Sequence, residues 1–135
     1  FLPSIDYFLP SEGDSEYLTG ETDCRKAAEV LKKAGAKNVV IKLGAKGAYA
    51  LCDGFEGFID AFAINARDTT GAGDAFCAGF IYATLNGDTV KDSLEFACAC
   101  GAFSSLYLGA SASPLSADTI KAFMRHTPRS NHHIK

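Results

Sequence analysis

Two long apolar stretches, residues 73–85 and 90–108, occupy the second half of the chain, and a polar break at Asn86-Gly87-Asp88 separates them. Each stretch has the length of a helix and is apolar on almost every face, so both helices must be buried. A chain of 135 residues offers few other elements to cover them. We therefore expect further sequence or a partner to complete their burial.

Short strand-like runs precede these helices and alternate with amphipathic segments. The predicted strands are residues 5–9, 38–43, 48–52 and 58–63. The predicted helices outside the two apolar stretches are residues 12–18, 23–34 and 116–126. Ser11 and either Thr22 or Asp23 begin the first two of these helices, and Gly20 and Gly35 end them. This interleaving predicts an α/β fold whose sheet is covered by helices on both faces.

Composition argues against several classes of protein. The formal net charge is −3, and no run of lysine and arginine is long enough to form a basic patch, so nucleic acid is not an expected partner. Hydrophobic residues make up 47% and charged residues 21%, which is ordinary for a globular protein and argues against disorder. No apolar run reaches the roughly 18–20 residues that span a bilayer, so a membrane is not an expected partner either.

The five cysteines are odd in number, form no Cys-x-x-Cys pair and lie mostly in apolar runs. We interpret them as buried free thiols in a reducing compartment, which predicts a cytoplasmic protein. The apolar opening at Phe1 lacks the basic region and cleavage site of a signal peptide. Because the chain begins inside an apparent core strand, we expect it to be part of a longer protein.

The segment Thr70-Gly71-Ala72-Gly73-Asp74 joins the last predicted strand to the first apolar helix. Two glycines around an alanine allow successive N–H groups to point in one direction. The helix that follows adds its free N–H groups and the positive end of its dipole, so the segment predicts an anion-binding site. A carboxylate on the first turn, such as that of Asp74, can accept a proton from a hydroxyl.

A base beside an anion site suits phosphoryl transfer, in which negative charge develops as a hydroxyl attacks a phosphorus atom. A purely structural alternative stays open, because Asp74 could simply cap its helix while the glycines form a tight turn. A dinucleotide fingerprint, and with it a Rossmann-type oxidoreductase, is disfavoured because Phe76 stands where a third glycine or an alanine is required. A P-loop is excluded because no Gly-Lys-Ser/Thr precedes the helix.

The longer stretch 68–80 contains Asp-Thr-Thr-Gly-Ala-Gly-Asp-Ala-Phe followed by Ala78-Gly79-Phe80, and it closely resembles the C-terminal signature of the ribokinase-like (PfkB) carbohydrate kinases. Residues 39–48 resemble the family's strand and turn beside the nucleotide, and residues 96–110 resemble its small-residue helix. The resemblance implies that residues 1–135 form the C-terminal, nucleotide-binding portion of a three-layer α/β/α fold. It also implies ATP-dependent phosphorylation of a hydroxyl on a sugar or sugar-like molecule.

The resemblance assigns a role to particular residues. It makes Asp74 the catalytic base and Gly71, Ala72 and Gly73 the anion hole. The residues it implies in nucleotide binding are Lys42, Gly44, Lys46, Gly47 and Cys98. Lys42 stands where many members have threonine, so a hydroxyl contact is either lost or replaced by a charge. Cys98 stands where asparagine or histidine is frequent near the adenine, which leaves that contact open.

Two sets of metal ligands follow from the same resemblance. Ser11 and Asp14 stand in place of the family's Asn-x-x-Glu, which is tied to Mg²⁺ and phosphate, and the shorter acid reaches less far. The alternative is that Ser11 is an N-cap and Asp14 a first-turn acid. Some members also bind a monovalent cation such as K⁺. The residues that match its site are Asp68, Thr70, Ser104, Tyr107, Gly109 and Ser113.

Members of the family also carry an N-terminal half with sugar-contacting residues and a small β lid, and nothing in this chain corresponds to either. We therefore expect the chain on its own to be inactive and its fold to lack that half and the lid. The full-length protein is expected to be a sugar kinase. Its oligomeric state is left open, and a homodimer is one alternative. The alternative is a non-catalytic nucleotide-binding fragment or subunit that needs the missing half.

Overall fold

Four strands form one sheet and five α-helices pack around it in the residues that the computed structural model describes, which are 6–64, 71–106 and 116–129. The strands are β1 (Tyr7–Phe8), β2 (Asn38–Lys42), β3 (Ala48–Cys52) and β4 (Phe55–Ile59). The helices are α1 (Glu12–Thr19), α2 (Cys24–Lys33), α3 (Ala72–Leu85), α4 (Val90–Ser105) and α5 (Ala117–His126), and a 3₁₀ turn spans Gly44–Lys46.

The sheet has the order β1-β2-β3-β4 and separates two apolar clusters. β1 is parallel to β2, whereas β3 is antiparallel to both β2 and β4. Because side chains alternate along a strand, Val39 and Ile41 contact the cluster that contains α2. Val40 and Ala50 point to the opposite face and join the cluster formed with α3, α4 and α5. The predicted α/β fold with helices on both faces of the sheet is therefore confirmed.

The first two helices begin and end at residues suited to those positions. Ser11 Oγ accepts a hydrogen bond from the Asp14 amide at 3.1 Å, and the Ser11 amide donates to Asp14 Oδ2 at 3.4 Å. This reciprocal pair is a capping box. Gly20 ends α1 in the left-handed region at φ 75°. Asp23, rather than Thr22, caps α2 by accepting from the Arg25 amide at 2.9 Å.

The strand predicted over residues 58–63 is displaced toward the N-terminus, because β4 runs from Phe55 to Ile59. The prediction was wrong since the Asp53-Gly54 turn leaves only two residues between β3 and β4, which pairs Cys52 directly with Phe55. After Ile59 the chain leaves the sheet, and Phe62 forms an isolated antiparallel bridge with Arg129. The prediction extended the strand into this segment because it relied on apolar content alone.

The helices α3 and α4 pack closely against each other through small residues. A Cβ atom added to Gly79 would lie 2.6 Å from Cys100 Sγ, closer than real contacts allow. The inner residues Phe80 and Leu94 are buried, whereas Ile81 and Leu85 on the outer side of α3 are 54% and 83% exposed. In the described part of the chain, the expected incomplete coverage is present for α3, whereas most residues of α4 are buried. Within that part, no helix qualifies as a bilayer-spanning segment.

Arg129 ties the end of the described chain to α4 and to the segment that follows β4. Its Nη1 lies 3.3 Å from Glu95 Oε1, and its Nη2 donates to the Asp60 carbonyl. The guanidinium also stacks over the Phe62 ring, 4.2 Å from the ring centre. This cation–π contact and the ion pair are only partly exposed to solvent, so water screens them less than a surface pair.

Replacing Arg129 with methionine is expected to lower the free energy of unfolding by about 1–3 kcal/mol, since the ion pair, the carbonyl hydrogen bond and the ring contact are all lost. Urea denaturation measures this change. Arg125→Met provides the control because Arg125 is an exposed residue on the last turn of α5. Equal midpoints for the two variants would contradict the role given to Arg129.

Candidate functional site

The carboxyl ends of β1 and β2 meet the first turns of two helices at one edge of the sheet. The Lys42 amide donates to the Pro10 carbonyl at 2.9 Å, and Ser11 forms a parallel bridge with Lys42. A Cβ atom added to Gly73 would lie 3.5 Å from Lys42 Nζ. The structure thus brings together the start of α1, the end of β2 and the start of α3. The carboxyl ends of parallel strands are where ligands bind in open α/β sheets.

The residues of the predicted anion site lie at the beginning of α3. Gly71 is the N-cap and adopts φ 81°, a left-handed conformation that glycine reaches without steric cost. The first residues of the helix leave backbone N–H groups without partners inside the helix. Gly73 is exposed, whereas Gly71 and Ala72 are half-buried. Among the described residues, these three amides have no hydrogen-bond acceptor, and they lie at an accessible helix end.

Asp74 is exposed on the first turn of α3. If the residue only capped its helix, its carboxylate would accept a hydrogen bond from an amide at the helix start. The structure gives the Asp74 carboxylate no hydrogen bond and no ion pair within the described residues. The side chain is accordingly open to an incoming group, which is the condition that a general base must meet.

A residue of α4 that the sequence did not single out brings that helix close to the start of α3. Gly101 is buried, and a Cβ atom added to it would lie 3.2 Å from the Ala72 carbonyl oxygen. That separation is tighter than most real contacts, so a side chain at this position would push against the first turn of α3. The absence of a side chain at Gly101 thereby allows α4 to lie close to Ala72. In the sequence, the only indication of this role is that Gly101 lies in a helix rich in small residues.

The turn after β2 contains three of the residues expected at the nucleotide. Gly44 adopts φ 61° and is exposed with open space around it, and Lys46 is exposed beside it. Gly47 closes the turn, donating to the Gly44 carbonyl at 3.0 Å and accepting from the Leu43 amide at 2.8 Å. A Cβ atom added to Gly47 would lie 1.9 Å from the Ile59 carbonyl oxygen. Gly47 therefore has a packing role, whether or not it contacts a nucleotide.

Cys98, which is expected near the adenine, lies inside the core. It is 7% exposed on α4 and belongs to the cluster that covers the sheet. Burial raises the pKa of its thiol to about 12, so the thiol is neutral at pH 7. The adenine contact stays a prediction. Burial likewise raises the pKa of Cys52 to about 11 and that of Cys100 to about 12, which agrees with buried free thiols at these positions.

The residues expected to bind metal fall into two groups. Ser11 and Asp14 lie at the same sheet edge as Lys42, already paired with each other in the capping box. Ser104 is buried in α4 at 2% exposure. The other residues of the expected monovalent-cation site lie outside the described residues, and they are Asp68, Thr70, Tyr107, Gly109 and Ser113. Within the described ranges, no three His, Cys, Asp or Glu side chains are grouped as a metal site.

Comparison with known proteins identifies the family. The sequence profile of the pfkB family carbohydrate kinases matches residues 1–117. The chain is 37% identical over 131 residues to a ribokinase from Haemophilus influenzae, covering 93% of this chain and 42% of that protein. It is 40% identical over 98 residues to a 2-dehydro-3-deoxygluconokinase from Bacillus subtilis, covering 72% of this chain and 30% of that protein.

A solved structure shares the fold as well as the sequence. The Arabidopsis thaliana ribokinase, complexed with ribose and ATP, superposes with a TM-score of 0.81 at 32% identity, covering 92% of this chain and 42% of that one. The chain thus spans less than half the length of these relatives. The profile match extends over most of the sequence, and on that basis the chain belongs to the pfkB family of carbohydrate kinases.

Proposed function

We propose that the protein transfers the γ-phosphoryl group of ATP to a hydroxyl of a sugar or sugar-like small molecule, with Asp74 as the base. The observation that carries this proposal is the exposed Asp74 carboxylate on the first turn of α3, which has no partner among the described residues. Placement at the carboxyl edge of the sheet and membership of the pfkB family support it.

In the proposed reaction, the sugar oxygen attacks the γ-phosphorus and the bond from that phosphorus to the bridging oxygen of ADP breaks. The hydroxyl proton passes to Asp74, which later returns it to solvent. Negative charge on the transferred group lies against the backbone amides of Gly71, Ala72 and Gly73. Because these amides are fixed by α3 before the substrate binds, they stabilise the transition state with little reorganisation.

The residues expected to bind Mg²⁺ are compatible with an ion that the protein binds through few of its own side chains. Ser11 supplies a hydroxyl and Asp14 a carboxylate at the exposed end of α1. Mg²⁺ prefers oxygen ligands and keeps several waters, so one carboxylate together with substrate phosphates is an ordinary arrangement. The chemistry that Mg²⁺ supplies when bound is neutralisation of phosphate charge. A monovalent-cation site is proposed on the family resemblance alone.

The second candidate is a nucleotide-binding fragment or subunit without activity of its own. The short span relative to the curated relatives favours it, because the chain covers 42% of the ribokinase it matches. For the full-length protein, the proposal includes a small-molecule sugar as the phosphoryl acceptor, a cytoplasmic location and a homodimeric state. The reading frame upstream of Phe1 and the intact mass of the purified protein separate the two candidates.

Removing divalent metal is expected to abolish sugar phosphorylation by the full-length gene product, because the phosphate charge is then left uncompensated. Mass spectrometry of a sugar mixture incubated with ATP measures the gain of phosphate, first with EDTA and then with added Mg²⁺. Adding excess Mg²⁺ back is the control and is expected to restore activity. Phosphorylation that continues in EDTA would overturn the metal requirement.

A further inference from the structure

Residues 60–63, which follow β4, are held by the end of the described chain. The Ala63 amide donates to the Pro128 carbonyl at 2.7 Å, and the Arg129 Nη2 donates to the Asp60 carbonyl. Because β4 ends before this segment, its backbone groups need partners outside the strand ladder. Residues 128 and 129 supply two of these partners.

The Arg129 guanidinium joins the 60–63 segment to α4. Its Nη1 lies 3.3 Å from Glu95 Oε1, and the side chains of both residues are 29% exposed. The planar guanidinium carries its donors in a fixed fork, so it holds a carbonyl and a carboxylate at a set spacing. An apolar side chain of similar length could cover the Phe62 ring but could bind neither oxygen. The spacing between α4 and the 60–63 segment therefore depends on Arg129.

The start of the 60–63 segment also supports the turn after β2. A Cβ atom added to Gly47, which closes that turn, would lie 1.9 Å from the Ile59 carbonyl oxygen and 2.8 Å from the Ala61 amide nitrogen. The two backbones are thus in contact, with no room for a side chain between them. Close-packed elements transmit displacements to one another. A shift of the 60–63 segment would accordingly move the turn at residues 44–47, which is expected to contact the nucleotide.

The other element that Arg129 contacts also carries a residue expected at the nucleotide. On α4, Glu95 lies one helical turn before Cys98, the residue expected near the adenine. Burial is the largest cause of the raised pKa of the Cys98 thiol, and the charges of Arg129 and Glu95 act on that pKa in opposite directions. Arg129 and its partner therefore lie near this thiol. The elements that Arg129 joins thus support two different parts of the predicted nucleotide site.

We infer that Arg129 is a positioning residue for nucleotide binding, which fixes the distance between α4 and the turn at residues 44–47 and acts on the nucleotide through these neighbours. The inference rests on the proposed function, because that function requires ATP at these elements. Arg129 lies beyond residues 1–117, which the family profile matches. The described contacts of Arg129 are with α4 and with the segment after β4, so its loss is expected to change ATP affinity.

Isothermal titration calorimetry of the full-length gene product with ATP and Mg²⁺ tests this role. Arg129→Met is expected to raise the Kd for ATP about threefold to thirtyfold, the range for residues that act on a ligand through their neighbours. The number of binding sites per chain is expected to stay the same, because unfolding removes sites whereas mispositioning weakens each one. Arg129→Lys is expected to restore part of the affinity, since it keeps a cation beside Glu95.

Two further variants serve as comparisons. Arg125→Met removes an exposed cation from the last turn of α5 and is expected to bind ATP with the Kd of the wild type. Glu95→Gln removes the charge of the ion pair but keeps an oxygen that can accept a hydrogen bond from Arg129. Its Kd is therefore expected to rise by less than that of Arg129→Met.

Amide hydrogen exchange of the unliganded protein measures the positioning separately from binding. In Arg129→Met, exchange in residues 44–47 and 60–63 is expected to become faster, while exchange in α2 stays unchanged. A Kd within about twofold of the wild type, unchanged exchange at residues 60–63, or an equal rise in exchange across α2 would each overturn the role of Arg129. Absence of ATP binding by the wild-type protein would instead overturn the proposed function, and the inference with it.

Discussion

Replacing Asp74 with asparagine is expected to lower kcat of the full-length gene product by about 10²- to 10⁴-fold, the range that a general base contributes. Asparagine has the shape of aspartate, but its amide cannot take the hydroxyl proton. The anion site of α3 keeps its glycines and its amides in this variant, so the KM for ATP is expected to change little. Steady-state kinetics at saturating sugar measure both quantities.

The control for this variant is Asp88→Asn, since Asp88 is an exposed acid just beyond the C-terminal end of α3. Its kcat is expected to match that of the wild type. Thermal unfolding of both variants separates a loss of chemistry from a loss of fold. Near wild-type turnover in Asp74→Asn would remove Asp74 from the role of base.

Replacing Gly47 with alanine is expected to destabilise the chain by about 3 kcal/mol or more, the sum of overpacking and left-handed strain. The added Cβ would lie 1.9 Å from the Ile59 carbonyl oxygen and 2.8 Å from the Ala61 amide nitrogen. Both are backbone atoms, so neither can rotate away. Gly47 also adopts φ 97°, where an L side chain is strained in any surroundings.

Gly44→Ala is the matched control for this substitution. Gly44 belongs to the same turn and also has a positive φ, at 61°, but a Cβ there would meet nothing within 4 Å. Its expected cost is about 1 kcal/mol, from backbone strain alone. Urea denaturation of the two variants measures the difference. Equal stabilities would show that the approach of Gly47 to β4 is not a constraint on the fold.

Local signals in the sequence predicted much of the fold. Ser11, Gly20 and Asp23 stand at helix ends, where their backbone and side-chain preferences act within a few residues. The core strands β2 and β3 followed from their continuous apolar runs. The error at β4 arose because apolar content does not distinguish a paired strand from a segment that leaves the sheet. The register there depends on the turn at Gly54.

The candidate site was only partly predictable, because its contacts join residues far apart in the chain. The glycines and Asp74 lie together in one motif, and their local chemistry could be deduced. The approach of Lys42 to Gly73, and of Gly101 to Ala72, depends on how β2 and α4 pack against α3. No periodicity in the sequence carries that information. The sequence alone therefore did not decide whether the charge of Lys42 replaces the hydroxyl contact that a threonine at this position would make to the nucleotide.

Acceptor-dependent ADP release by the full-length gene product tests the central claim most directly. The assay supplies ATP and Mg²⁺ with a panel of pentoses, hexoses, sugar acids and sugar phosphates, and it measures ADP and phosphorylated product together. A sugar kinase is expected to release one ADP for each sugar phosphorylated, and only when an accepted sugar is present. ADP release that is independent of every acceptor, or ATP binding without turnover across the panel, would contradict the proposed function and favour the non-catalytic alternative.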